Sequence, residues 1–165
     1  MSAIDRIELP HDQPGRHIYR ADLVATVVFV IAAALATAAP GALRVPYAVL
    51  SSALFAAGCV AFLWAYLVSL GRSRNETISV VGIYGLAGSA PAPVRRRFHA
   101  LTALQTVIAI TAAAIHPFSA QAFGILVPML GLGLGGLWAA RHGRFAPRQD
   151  PRRRHAPTKE SGIHG

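Results

Sequence analysis

Residues 79–99 read SVVGIYGLAGSAPAPVRRRFH, an apolar stretch with three glycines that leads through two prolines into three arginines. Whether this stretch crosses a membrane decides how many membrane-spanning helices the chain has. The apolar segment that includes its first half, 77–88, is twelve residues long, whereas a transmembrane helix needs about 20 residues. We therefore expect 77–88 to lie at the membrane interface or to re-enter the membrane, as a short helix or as a loop.

The composition on both sides of this stretch is typical of a membrane protein. Of the 165 residues, 53% are hydrophobic and 14% are charged, against about 25% charged in a soluble domain. No Asp, Glu, Lys or Arg occurs at 45–70 or at 98–140. A soluble helical domain would need polar residues on its outward helix faces, so we expect lipid to surround these runs.

Four apolar runs are long enough to cross the membrane, at 23–39, 46–70, 100–116 and 122–140. The links within each pair are short, so each pair is expected to form a hairpin. The prediction is an all-α, polytopic membrane protein with four transmembrane helices as two hairpins. Its segments are an N-terminal segment 1–21, a first hairpin 22–71, a loop 72–99 with an apolar interfacial part, a second hairpin 100–140 and a tail 141–165.

Orientation follows from the positive residues. Fifteen of the 16 Lys and Arg residues lie in the N-terminal segment, the central loop or the tail, and Arg44 alone lies in a link within a hairpin. Positive residues remain on the cytoplasmic side, so both termini and the loop are expected there, in the cytoplasmic membrane. A fifth span at 77–88 would place some arginine clusters outside.

Basic clusters beside the apolar runs predict contact with anionic lipid. The tail, rich in Pro and Arg, is expected to be disordered. Basic clusters next to a membrane helix attract anionic head groups, an interpretation we prefer over a protein partner and over nucleic acid. The residues expected to bind lipid head groups are Arg95, Arg96, Arg97, Arg152, Arg153 and Arg154.

The sequence GLGLGG at 131–136 fits the dinucleotide pattern G-x-G-x-x-G. That interpretation requires a strand before the motif and a helix after it, and a membrane run provides neither. Gly131 and Gly135 also form a G-x-x-x-G pair, which lets helix backbones approach closely in lipid. We expect these two glycines to pack helices together, and Pro128 to bend the same helix.

Few residues in the four apolar runs are of the types that catalyse reactions or bind metals. Asp22, at the start of the first run, is expected to cap its helix. The seven histidines show no metal-ligand spacing, and carboxylates for acid–base catalysis are scarce. We therefore expect no cofactor, no metal and no catalytic residue. A membrane enzyme would have to use His99, His142 and the central loop.

The sequence thus favours a non-catalytic accessory, assembly or scaffold subunit that associates with another membrane protein or with itself. The alternative is a small transporter or channel for an apolar or lipid-linked substrate. Its cavity would be lined by the polar side chains within the runs, which otherwise make interhelical hydrogen bonds. These residues are Ser51, Ser52, Gln105 and Thr106.

Overall fold

The computed structural model describes residues 14–74 and 76–147, and this part of the chain is mostly helical. Its elements are α1 (Arg16–Ala38), α2 (Pro40–Arg72), β1 (Glu76–Thr77), α3 (Val80–Tyr84), α4 (Ala92–Ile115), a 3₁₀ helix (Ala120–Leu126), α5 (Pro128–His142) and β2 (Ala146–Pro147). Within these described ranges, four helical segments are long and apolar enough to cross a membrane, which agrees with the number predicted. They are Arg16–Ala38, Gly41–Arg72, Ala92–Ile115 and Ala120–His142.

The outward surfaces of these segments are apolar. Large aliphatic side chains stand well exposed on each of them, including Val24 on α1, Val60 on α2, Val107 on α4 and Leu132 on α5. A soluble protein rarely exposes apolar patches of that extent. Lipid is the solvent in which such a surface is stable.

Three helices, α1, α2 and α4, begin earlier than the apolar runs predicted, and prolines stand at the start of the last two. Ala39 alone separates α1 from α2. Helix α2 contains Arg44, which was predicted to lie in the link, and Pro46, which was predicted to start the second run. Helix α4 begins at Ala92, so the three arginines at 95–97 are helical. Proline fits the first turn of a helix because the N–H groups there have no intrahelical acceptor. The prolines that looked like link residues therefore start these helices.

The predicted continuous helix at 122–140 is wrong in its first third. Residues Ala120–Leu126 form a 3₁₀ helix, and α5 begins at Pro128. Proline has no N–H with which to bond the carbonyl of Gly124 four residues earlier. The N–H of Val127 instead donates to the oxygen of Gly124 over 3.0 Å, in the tighter 3₁₀ pattern.

Residues 79–99 form a short helix, a turn and the start of α4. Ser79 caps α3, with its Oγ accepting from the N–H of Gly82 over 3.0 Å. The backbone then turns through positive φ angles at Leu86 (51°) and Gly88 (74°). Ile83 and Leu86 are buried. The stretch therefore packs against the bundle, and 77–88 contains no helix long enough to span.

A two-residue ladder departs from the all-α expectation. Strands β1 and β2 pair antiparallel, with Glu76 opposite Pro147 and Thr77 opposite Ala146. This ladder joins the segment after α2 to the segment after α5. Contacts of Arg72 with the last turn of α5, of Trp138 with Pro14 and of Arg97 with Tyr19 bring further termini of the long helices together. We call the end of the bundle that contains this ladder, Arg72 and Arg97 the basic end.

Candidate functional site

A buried polar cluster links α1 to α4. Asp22, Thr26 and Gln105 are each at most 1% exposed. The Nε2 of Gln105 donates to Oδ1 of Asp22 over 3.1 Å and to Oγ1 of Thr26 over 2.7 Å. Thr26 in turn donates to the backbone oxygen of Asp22 over 2.7 Å. One amide group thus satisfies two acceptors on the neighbouring helix.

The capping role predicted for Asp22 is wrong. Helix α1 begins at Arg16 after Gly15, whose left-handed φ of 78° starts the helix, so Asp22 lies in its second turn. Among the described residues, Oδ2 of Asp22 and Oε1 of Gln105 have no hydrogen-bond partner. Both residues stand out in the sequence, but no sequence pattern shows that they meet. The one sequence feature that could have indicated the contact is an Asp and a Gln in two otherwise apolar helices.

A close backbone approach joins α2 to α5 through glycine. A Cβ on Gly58 would lie 2.6 Å from the backbone nitrogen of Leu130, and one on Gly133 would collide with the backbone oxygen of Gly58. Backbone atoms cannot move aside as side-chain ends do. Glycine at both positions is what lets these two helices touch.

The two glycines predicted to pack helices, Gly131 and Gly135, are both buried in α5. A Cβ on Gly131 would meet the side chains of Thr102 and Gln105 on α4, and one on Gly135 would lie 3.3 Å from Leu86. Their neighbours are therefore side chains of α4 and of the turn after α3. In the sequence, Gly133 belongs only to the rejected nucleotide pattern, and no pattern points to Gly58.

Arg72, the last residue of α2, ties the basic end together. Its Nε and Nη2 donate to the two carboxylate oxygens of Glu76 over 3.0 and 3.1 Å. Nη1 donates to the oxygen of Ala140 over 2.8 Å, and Nη2 to the oxygen of Gly143 over 3.0 Å. These carbonyls close α5, where the last four have no intrahelical donor. Arg72, which the sequence placed at the start of the loop 72–99, satisfies two of them.

The arginines predicted to bind lipid lie in the first turns of α4. Arg96 is exposed, and Arg95 and Arg97 are partly buried. The guanidinium of Arg97 lies 5.8 Å from the centroid of the Tyr19 ring, which joins α4 to α1. Arg152, Arg153 and Arg154 lie outside the described residues.

A groove of about 570 Å³ runs between α4 and α5. Its floor contains Leu86 and Phe98, each 1% exposed. One wall is formed by α4 from His99 to Val107 and the other by Gly131 and Leu132 of α5, and Tyr84 also lines the groove. We call it the α4–α5 groove.

The four polar residues expected to line a transport cavity do not share one. Ser51 and Gln105 are fully buried, Ser52 is exposed, and Thr106 lines the α4–α5 groove. The two histidines proposed for an enzyme are likewise apart. His99 lines that groove, whereas His142 stacks on Trp138 in a second pocket of about 480 Å³.

Within 14–74 and 76–147, no group of three or more His, Cys, Asp or Glu residues could hold a metal ion. The features found are a buried polar cluster, a glycine contact, an arginine tie and an apolar groove. All four are means of holding helices together or of receiving an apolar surface. No protein-family model, curated protein or solved structure matches this chain.

Proposed function

We propose that this protein is a non-catalytic accessory or assembly subunit of the cytoplasmic membrane. It would have two helical hairpins, both termini inside, and a membrane-embedded face that binds another protein or a second copy. The observation that supports this role is the outer face of α2. That helix is the longest in the described chain and is the least covered by its neighbours.

The outer face of α2 has small residues in the middle and large apolar residues towards both ends. Only 22% of the most apolar window of α2 is buried, against 50% of the window in Ala120–His142. Exposed residues recur every three or four positions and so form one stripe along the helix. They are Val49, Ala53, Ala56, Val60, Leu63 and Leu67.

Such a stripe has the shape of a helix-packing surface. Small residues let two backbones approach closely in lipid, where apolar burial itself gives no advantage over contact with acyl chains. Ala53 and Ala57, and likewise Ser52 and Ala56, are four residues apart and exposed. The same spacing of small residues favours close helix dimers. Large neighbours above and below would extend the contact.

Co-purification in mild detergent at native expression tests this role. We expect the native chain to retain a membrane partner or itself, and the double variant Ala53→Leu/Ala56→Leu to lose it while remaining folded. Ala114→Leu, at an exposed alanine of α4, is the matched control and should retain the partner. A monomer without partner, or equal retention by both variants, would contradict the proposal.

A small transporter for an apolar or lipid-linked substrate is the second candidate. It is favoured by Asp22, because a carboxyl group buried inside a membrane helix is costly and commonly serves function. Reconstituted protein should then accelerate translocation of NBD-labelled phosphatidylglycerol in vesicles, and Asp22→Asn should slow it. Flux equal to that of protein-free vesicles would remove this candidate for lipid substrates.

A further inference from the structure

We propose that the α4–α5 groove binds one acyl chain of an anionic phospholipid, whose phosphate is held by Arg95 and Arg96. This is a specific lipid site on one flank of the bundle. It differs from a general attraction of basic residues to the membrane surface. It uses α4 and α5, so it is independent of the partner-binding face on α2.

The dimensions of the groove match an acyl chain in one leaflet. Its α4 wall extends from His99 to Val107, which at 1.5 Å per residue is about 12 Å. Half of a hydrocarbon core of about 30 Å is about 15 Å. The wall therefore follows most of the depth of one leaflet, starting from the basic end.

Three polar side chains of the groove, those of Tyr84, His99 and Thr106, have partners within the protein. Thr106 Oγ1 donates to the backbone oxygen of Thr102 over 2.8 Å. The hydroxyl of Tyr84 donates to the oxygen of Phe62 over 3.1 Å, and burial raises the pKa of Tyr84, so this donor stays protonated. His99 Nε2 lies 3.1 Å from the oxygen of Gly85. Because the hydroxyl hydrogens of Tyr84 and Thr106 already bond to backbone oxygens, they are not available to a ligand, which favours an apolar occupant.

Positive charge is concentrated where the head group of that lipid would lie. Arg95 and Arg96 precede His99 by four and three residues, so all three lie on adjoining faces of α4. The positive end of the helix dipole adds to this potential. Within the described residues the only carboxylates are Asp22, buried between α1 and α4, and Glu76, paired with Arg72. No described carboxylate competes for these arginines.

Native mass spectrometry of the full chain in detergent micelles doped with phosphatidylglycerol or phosphatidylcholine tests the proposal. We expect one phosphatidylglycerol to be retained in preference to phosphatidylcholine. Arg95→Gln/Arg96→Gln should reduce retention about tenfold or more. Ala103→Trp, which fills the groove from its exposed α4 wall, should abolish it.

Two matched controls separate a built site from a general effect. Arg141→Gln/Arg144→Gln removes the same charge from two exposed arginines at and beyond the end of α5, and Ala114→Trp adds the same bulk elsewhere on α4. Both should retain the lipid. Equal loss in the two arginine pairs would indicate a diffuse basic rim and overturn the site. Full retention by Ala103→Trp would show that the chain does not occupy the groove.

A photoreactive phosphatidylglycerol that carries a diazirine in its acyl chain tests the site on the native protein, without any substitution. Labelling should concentrate on residues 99–107 of α4 and on Leu132. Labels spread evenly over the outward faces of α1 and α2 would overturn the proposal.

Discussion

Two helix contacts hold this bundle by different means. Helices α2 and α5 meet through glycine, with Gly58 and Gly133 bringing backbone against backbone. Helices α1 and α4 meet through polar side chains, with Gln105 donating to Asp22 and Thr26. The first contact depends on the absence of a side chain and the second on the presence of one.

This difference follows from what lipid does to helix association. Apolar side chains gain little by leaving acyl chains for each other, so helices join through close packing or through buried hydrogen bonds. Glycine contributes the first, and the Asp–Thr–Gln cluster contributes the second. The two contacts should therefore respond in opposite ways to added and removed side-chain atoms.

Adding a single methyl group at the glycine contact should have the largest effect. Gly58→Ala and Gly133→Ala each place a Cβ against backbone atoms, so each should lower the unfolding free energy by about 3 kcal/mol or more. Gly71→Ala is the control, because a Cβ there meets nothing within 4 Å. Unfolding in detergent by increasing denaturant measures all three. Similar stabilities for Gly58→Ala and Gly71→Ala would contradict close packing.

Removing the amide from the polar contact should have the next largest effect. Gln105→Leu leaves Oδ1 of Asp22 and the hydroxyl of Thr26 without this donor, at a cost of about 1–3 kcal/mol. Asp22→Asn should be close to neutral, because Asn keeps an Oδ1 that can accept from Gln105 and replaces a buried carboxyl group by an amide that carries no charge. A double-mutant cycle in the same unfolding assay measures the coupling. An Asp22→Asn loss as large as that of Gln105→Leu would contradict this account.

Changing the tie at the basic end should cost less. Arg72→Lys keeps the charge but loses the planar fork that bonds Glu76 and the end of α5 together. We expect a loss of about 1 kcal/mol and faster amide hydrogen exchange in residues 140–147. Arg74→Lys, at an exposed neighbour, should leave both unchanged. Unaltered exchange in Arg72→Lys would show that the tie is dispensable.

The smallest effect is expected at Gly135. A Cβ there would lie 3.3 Å from a side-chain carbon of Leu86, so it would meet the end of a flexible side chain and not backbone. Alanine is also the better helix former. Gly135→Ala should thus change the unfolding free energy by less than about 1 kcal/mol. A loss equal to that of Gly133→Ala would mean that both glycines carry backbone contact.

The number of spans was readable from the sequence because charge is missing over long stretches, at 45–70 and 98–140. The starts of α2 and α4 could not be read in this way. A proline fits the start of a helix as well as a link, and Pro40 begins α2 while Pro91 directly precedes α4. The break before Pro128 was anticipated as a bend and is a change of helix type.

The buried cluster and the glycine contact depend on pairs far apart in the chain. Gln105 and Asp22 are separated by 83 residues, and no periodicity within either helix indicates that they meet. The same holds for Gly58 and Gly133. The role of Arg72 depends on the ends of α2 and α5 lying together, so the sequence placed it only among the positive residues of the loop 72–99.

The most direct test of the central claim, that the basic end faces the cytoplasm, is labelling by a membrane-impermeant thiol reagent. In a Cys59→Ala background, which removes the only cysteine, cysteines are introduced at exposed Ala87 and at Phe118. We predict that Phe118→Cys is labelled in intact cells and that Ala87→Cys is labelled only after permeabilisation. Labelling of Ala87→Cys in intact cells would contradict the account.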